Sequence, residues 1–135
     1  MSRRLLILSL LLSILLWLMN EAAYRYSLFG IWWWFDSPVH FLGGLALGAF
    51  FFWFFGRVRD HMPSFSLTAV IGYTFAMVLI VGIAWEIFEY AFHIPNNTPL
   101  GYSLDTLKDI ILDVCGAAVV VWLYMCQRVK ILGTV

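Results

Sequence analysis

The chain has 135 residues, of which 63% are hydrophobic, 19% aromatic and 12% charged, and its formal net charge is zero. A soluble domain of this length cannot bury so much apolar surface, whereas a lipid bilayer solvates that surface directly. The lack of net positive charge argues against a nucleic-acid partner. These limits favour one integral membrane domain over residues 1–135.

The first apolar segment covers residues 5–20 and follows two basic residues, Arg3 and Arg4. Basic residues before a short apolar run also occur in signal peptides. No clear small-x-small cleavage site follows here, the nearest candidate being residues 21–23. We therefore predict a first transmembrane span that is retained.

An amphipathic connection over residues 20–37 is expected to lie at the membrane interface. It contains three consecutive tryptophans at positions 32–34, and tryptophan is enriched at the headgroup level of bilayers. The second span is predicted over residues 38–55, with Asp36 or Ser37 as its N-cap because short polar side chains satisfy the first free N–H groups of a helix.

Two further spans are predicted over residues 65–93 and 105–127, separated by a loop over 94–104 that holds prolines and a glycine. Gly44 and Gly48 form a small-xxx-small face that lets another helix approach closely, either within the chain or in a second copy. The prediction is an all-α, four-helix transmembrane bundle, with homo-oligomerisation left open.

Lysines and arginines indicate the orientation of the bundle. Six fall on the side of the termini and two on the other side: Arg3, Arg4, Arg57, Arg59, Arg128 and Lys130 against Arg25 and Lys108. Because positive charge accumulates on cytoplasmic loops, both termini are predicted to be cytoplasmic.

Ionisable side chains gather at the opposite ends of the predicted spans. They are Asp36, His40, Glu86, Glu89, His93, Asp105, Asp109 and Asp113. They open the second span, close the third and open the fourth, so alternating passes bring all of them to the outer leaflet. Burying an ionisable group in a membrane costs several kcal/mol, so such groups are usually functional.

Carboxylates and imidazoles at this density, with little basic charge nearby, favour a divalent cation. Mixed ligation of this kind suits zinc first, with manganese or iron as alternatives. The predicted metal ligands are His40, Glu86, His93 and Asp109. Glu89 or Asp113 is the predicted general base, and Asp36, Asp105 and Lys108 are expected to support the ligands. Asp105 alternatively caps the fourth helix or pairs with Lys108.

Three motifs carry a resemblance to known proteins: Asp36-x-x-x-His40-Phe41-x-Gly43-Gly44, Trp85-Glu86-x-x-Glu89 and Asp105-x-x-x-Asp109-x-x-x-Asp113-x-x-Gly116. This pattern resembles that of small bacterial YjdF-like inner-membrane proteins and, more distantly, that of VanZ-like proteins. The resemblance implies a multi-pass protein of the bacterial inner membrane with a role in the cell envelope. Ser37-Pro38 stands where VanZ-like chains often place a lysine, so no lysine role carries over.

The favoured hypothesis is a metal-dependent hydrolase or transferase that acts on a lipid or lipid-linked envelope substrate at the outer leaflet. A non-enzymatic ion or proton-coupled transporter, or a metal-binding accessory protein, is the alternative, since intramembrane carboxylates and histidines also relay protons. In a third hypothesis the polar cluster only locks the helices together. Membrane lipids are the expected partners.

Overall fold

The computed structural model describes residues 3–62, 64–92 and 100–132, with side chains described as far as Gln127. Within these ranges the regular structure is entirely helical. The helices are α1 (Arg3–Arg25), α2 (Leu28–Ile31), α3 (Asp36–His61), α4 (Leu67–Phe92) and α5 (Tyr102–Leu132).

Four of these helices are long and apolar enough to cross a membrane, which confirms the predicted four-helix architecture. Helix α1 has 23 residues, and α3 and α4 have 26 each. At 1.5 Å per residue each is at least ~34 Å long, against a hydrocarbon thickness of ~30 Å. Helices α1, α3 and α5 extend beyond the predicted spans at both ends, because a helix satisfies its own backbone hydrogen bonds where it leaves the hydrocarbon. Helix α4 lies within its predicted span of 65–93.

Helix α3 is the centre of the bundle and packs against α1, α4 and α5. Its contact with α5 is a direct approach of two backbones. A Cβ added at Gly48 would lie 2.7 Å from the Cα of Ala117, and one added at Gly44 would overlap the backbone of Asp113. The glycine face predicted from sequence therefore serves packing inside the chain.

The connection between α1 and α3 contains the short helix α2 and the exposed tryptophans at positions 32–34. Trp32 and Trp34 stack with ring centroids 5.7 Å apart. The N-cap prediction for α3 was wrong. Phe35 occupies the cap position without a side-chain hydrogen bond, and Asp36 is already in the first turn. The turn supplies a backbone bond instead, from Ser37 N–H to the Trp34 carbonyl at 3.1 Å.

The two ends of the bundle differ in chemistry. Towards the end of α3, Phe52 is fully buried with Val70 and Val121 in an apolar core, and its ring meets Tyr124 edge-on at a centroid distance of 4.9 Å. The start of α3, the end of α4 and the start of α5 lie together at the other end. The predicted polar residues are carried there.

Candidate metal centre

The structure brings the predicted polar side chains of α3, α4 and α5 into one buried cluster. The buried members are His40, Glu86, Asp105, Asp109 and Asp113. Because these side chains come from three helices that end or begin at the same depth, the convergence follows from the alternating direction of the passes.

His40 lies at the centre of the cluster and is 5% exposed. Its Nε2 atom is 3.7 Å from Asp36 Oδ1 and 3.8 Å from Glu86 Oε1. Its Nδ1 atom is 3.5 Å from Asp113 Oδ2, a long hydrogen bond that joins α3 to α5. An Nδ1–H that donates to Asp113 leaves the Nε2 lone pair facing Asp36 and Glu86.

Within residues 3–62, 64–92 and 100–127, two groups of side chains have ligand atoms close enough for one metal ion, and both include His40. One is Asp36, His40 and Asp109, and the other is His40, Glu86 and Glu89; within each group the atoms lie within 4.8 Å of one another. Imidazole nitrogen with carboxylate oxygen is a donor set that zinc, manganese and iron accept.

The structure places three of the four sequence-predicted ligands in these groups. His40, Glu86 and Asp109 take part in these groups, whereas His93 lies outside the described residues. Asp36 and Glu89, which the sequence assigned to supporting and proton-accepting roles, also lie at ligand distances. Helical spacing revealed the faces but not which atoms of neighbouring helices meet.

Lys108 supplies positive charge at the edge of the cluster. Its Nζ lies 2.7 Å from Asp105 Oδ1 and 3.1 Å from Asp109 Oδ1. The alternative in which Asp105 pairs with Lys108 is therefore the one observed. Capping by Asp105 was wrong, because α5 already begins at Tyr102, after Gly101 at a φ of 76°.

Two residues that the sequence analysis missed hold Glu86 from α5. Thr106 Oγ1 donates to Glu86 Oε2 at 2.7 Å, and Tyr102 OH donates to the Glu86 carbonyl at 3.0 Å. Thr106 precedes Asp109 and Asp113 by three and seven residues, so it shares their face, a signal that was present in the sequence.

Glu89 is held within its own helix. Trp85 Nε1 donates to Glu89 Oε1 at 2.9 Å, a pair that its i, i+4 spacing also allowed one to predict. Glu89 is half-buried and lies within ligand distance of His40 and Glu86.

Two facing atoms in this cluster have no hydrogen-bond partner among the residues that the structure describes. They are Nε2 of His40 and Oε1 of Glu86, both buried and 3.8 Å apart. A buried polar atom without a partner costs about 1–3 kcal/mol, and a charged one costs more. His40 and Glu86 would satisfy both atoms by holding a divalent cation, so the residues present fit a metal ion.

A cavity of about 230 Å³ adjoins the cluster. It lies between α1, α3 and α4. Within the described part of the bundle, α1 packs chiefly on α3 and not on α4. Its lining combines the polar cluster with apolar wall residues: Ser13, Leu16, Asn20, Val39, His40, Gly43, Ala46, Leu47, Val81, Gly82, Trp85 and Asp113.

The comparisons with known proteins agree with this membrane architecture. Neither the curated proteins nor the solved structures gave a match to the chain. A family profile described as "Predicted membrane protein (DUF2238)" matches residues 2–130. Since that match covers nearly the whole sequence, the chain belongs to the DUF2238 family of predicted membrane proteins.

Proposed function

We propose that this protein binds a divalent metal inside the membrane and uses it as a hydrolase or transferase acting on a lipid or lipid-linked envelope substrate. The observation that carries the proposal is a pair of buried ligand atoms, His40 Nε2 and Glu86 Oε1, for which the described part of the chain offers no hydrogen bond. In the observed packing both atoms lack a hydrogen bond in a low-dielectric region, where an unmet hydrogen bond is most costly.

The ligand set begins with His40 and Glu86. Asp36 and Asp109 form one group with His40, and Glu86 and Glu89 form the other. His93 remains a predicted ligand from the sequence. Asp113 holds the opposite ring nitrogen of His40, as carboxylates hold metal-ligating histidines in many proteins. Zinc is our first candidate for the ion, and manganese or iron would accept the same donors.

The chemistry that such an ion supplies is polarisation of a carbonyl or phosphoryl oxygen and acidification of a bound water. Glu89 is the best placed general base, since it is half-buried and Trp85 fixes one of its oxygens. Asp113, the other predicted base, is engaged with His40. We therefore assign proton transfer to Glu89 and orientation of His40 to Asp113.

The cavity between α1 and α4 supports a lipid substrate. His40 and Asp113 lie in its wall, and Leu16, Leu47 and Val81 supply apolar surface. His40 and Leu47 are separated by ~10 Å along α3, so the cavity continues from the polar cluster towards the bilayer centre. An amphiphile would place its polar group at the cluster and part of an acyl chain against these walls.

The family assignment and the charge pattern give the setting for this reaction. The YjdF-like resemblance of the motifs fits the DUF2238 membership and favours the bacterial inner membrane. If the termini are cytoplasmic, as the distribution of lysine and arginine predicts, the site faces the outer leaflet. Lipid-linked envelope precursors and phospholipids present their reactive groups at that depth.

Elemental analysis tests the metal step. We expect about one zinc, manganese or iron ion per chain in protein purified without chelators, and its loss in Glu86→Gln. The matched control is Glu21→Gln, the same change at an exposed position in α1. Folded wild-type protein that binds none of these metals, even after reconstitution, contradicts the proposal.

An ion or proton-coupled transporter is the rival function. It requires a polar path across the bundle, but beyond Asp113 the described core is apolar at Ala117 and Val120. The buried hydroxyls in the described bundle donate to backbone carbonyls, Ser9 to Ala46 at 2.8 Å and Thr74 to Val70 at 2.7 Å. Proteoliposome flux that depends on Glu86 and His40 would favour the rival.

A further inference from the structure

A second polar feature lies at the opposite end of the bundle from the carboxylate cluster. A cavity of about 380 Å³ is bounded by the first turns of α1 and the last turns of α3. Its lining is Arg3, Leu6, Ile7, Leu10, Trp53 and Arg57. It shares no residue with the cavity at the candidate metal centre.

The lining residues are ordered by depth. Trp53 and Arg57 are one turn apart and share a face of α3, with the indole ~6 Å deeper along the helix axis. Arg3 and Arg57 both line the cavity at the end of the bundle, while Leu6 and Leu10 continue inwards along α1. The cavity thus changes from cationic to apolar over about two helical turns.

Trp53, which lines this cavity, carries a buried hydrogen-bond donor on its indole ring. Its Nε1–H is buried and has no hydrogen-bond partner in the described ranges of the chain. Its ring packs near Phe50 at a centroid distance of 6.2 Å. At this depth in a membrane no bulk water replaces a missing acceptor, so a buried N–H needs a ligand atom. An oxygen atom of a bound anionic ligand would accept the hydrogen bond of the Trp53 N–H.

We infer that this cavity binds the phosphate and glycerol-ester region of an anionic phospholipid in the leaflet opposite the carboxylate cluster. Arg3 and Arg57 face the phosphate, and Trp53 Nε1–H donates to a phosphate or ester oxygen one turn deeper. Leu6, Ile7 and Leu10 line the beginning of an acyl chain. The apolar wall selects a lipid over free inorganic phosphate, which has no group to place there.

Asp60 is an acidic neighbour of Arg57 and forms a long ion pair with it. Asp60 Oδ2 is 3.8 Å from Arg57 Nη1, beyond hydrogen-bond distance, and both side chains are about half exposed. Guanidinium groups carry several donors in a planar fork, so Arg57 keeps donors for a phosphate even with Asp60 nearby. This site stands independently of the metal centre and of the reaction proposed there.

Native mass spectrometry of protein released from vesicles of phosphatidylethanolamine and phosphatidylglycerol tests the inference. We expect wild-type protein to retain phosphatidylglycerol preferentially, and Arg57→Gln and Trp53→Phe to retain about tenfold less, the loss expected for one strong hydrogen bond. Arg59→Gln is the matched control. It removes the same charge at a position two residues from Arg57, and the Arg59 side chain does not line the cavity.

Equal retention by wild type, Arg57→Gln and Trp53→Phe overturns the inference. A loss in Arg59→Gln as large as in Arg57→Gln also overturns it, because general attraction of positive charge to an anionic surface then explains the binding. Displacement of the lipid by millimolar inorganic phosphate would show a phosphate site rather than a lipid site. Circular dichroism checks that each variant is folded.

Discussion

The carboxylate of Asp113 in α5 packs directly against Gly82 of α4. A Cβ added at Gly82 would lie 2.7 Å from Asp113 Oδ2, the same oxygen that approaches His40 Nδ1. The carboxylate that orients His40 therefore occupies the volume that any larger residue at position 82 would fill. This relationship links a residue without a side chain to the geometry of the candidate metal centre.

The first prediction tests this link with Gly82→Ala. The new methyl group should displace the Asp113 carboxylate, so we expect a loss of about 1–3 kcal/mol in stability and weaker metal retention. Gly72→Ala is the control on the same helix, since a Cβ there meets nothing within 4 Å. Thermal unfolding in detergent and metal content measure the two effects. Equal behaviour of the two variants contradicts the argument.

The second prediction concerns Asp113→Asn. An amide keeps the shape of the side chain but weakens its hold on the His40 ring, so metal affinity should fall about 10- to 100-fold while the other ligands remain. Asp60→Asn at the opposite end of the bundle is the control. Competition with a calibrated chelator gives the affinities, and an unchanged affinity in Asp113→Asn would remove Asp113 from its proposed role.

The third prediction concerns Thr106→Val. This change keeps the shape but removes the donor to Glu86 Oε2, leaving a buried carboxylate oxygen unsatisfied. We expect a loss of about 1–3 kcal/mol in the free energy of unfolding. Thr68→Val, at an exposed position of α4, should change it far less. Reversible unfolding in mixed micelles compares the two, and equal values count against the Thr106–Glu86 bond.

The fourth prediction concerns the contact between α3 and α5. Gly44→Ala introduces a Cβ that overlaps the backbone of Asp113, so the helices must separate and the cluster must open. We expect a larger loss of stability than in Gly82→Ala, because backbone cannot move aside as a side chain can. A Gly44→Ala protein as stable as wild type would show that α3 and α5 pack differently.

Sequence reasoning identified the helices and the end of the bundle that carries the polar groups, but not the partners of each atom. It assigned Asp36 to a cap, whereas the helix begins one residue earlier and presents Asp36 to His40. It missed Thr106, although spacing placed this residue on the face of Asp109. Periodicity gives the face of one helix, while the partner depends on how two helices are rotated against each other.

By itself the sequence determined four membrane-spanning helices and the gathering of carboxylates and histidine at one end, because apolar length sets a span and alternating passes set the depth of each residue. Only the tertiary structure decided that His40 faces Asp36, Glu86 and Asp113, that Gly82 makes room for a carboxylate, and that a cavity opens between α1 and α4. Those features depend on helix rotation and close backbone approach between residues distant in the chain, which no local pattern encodes.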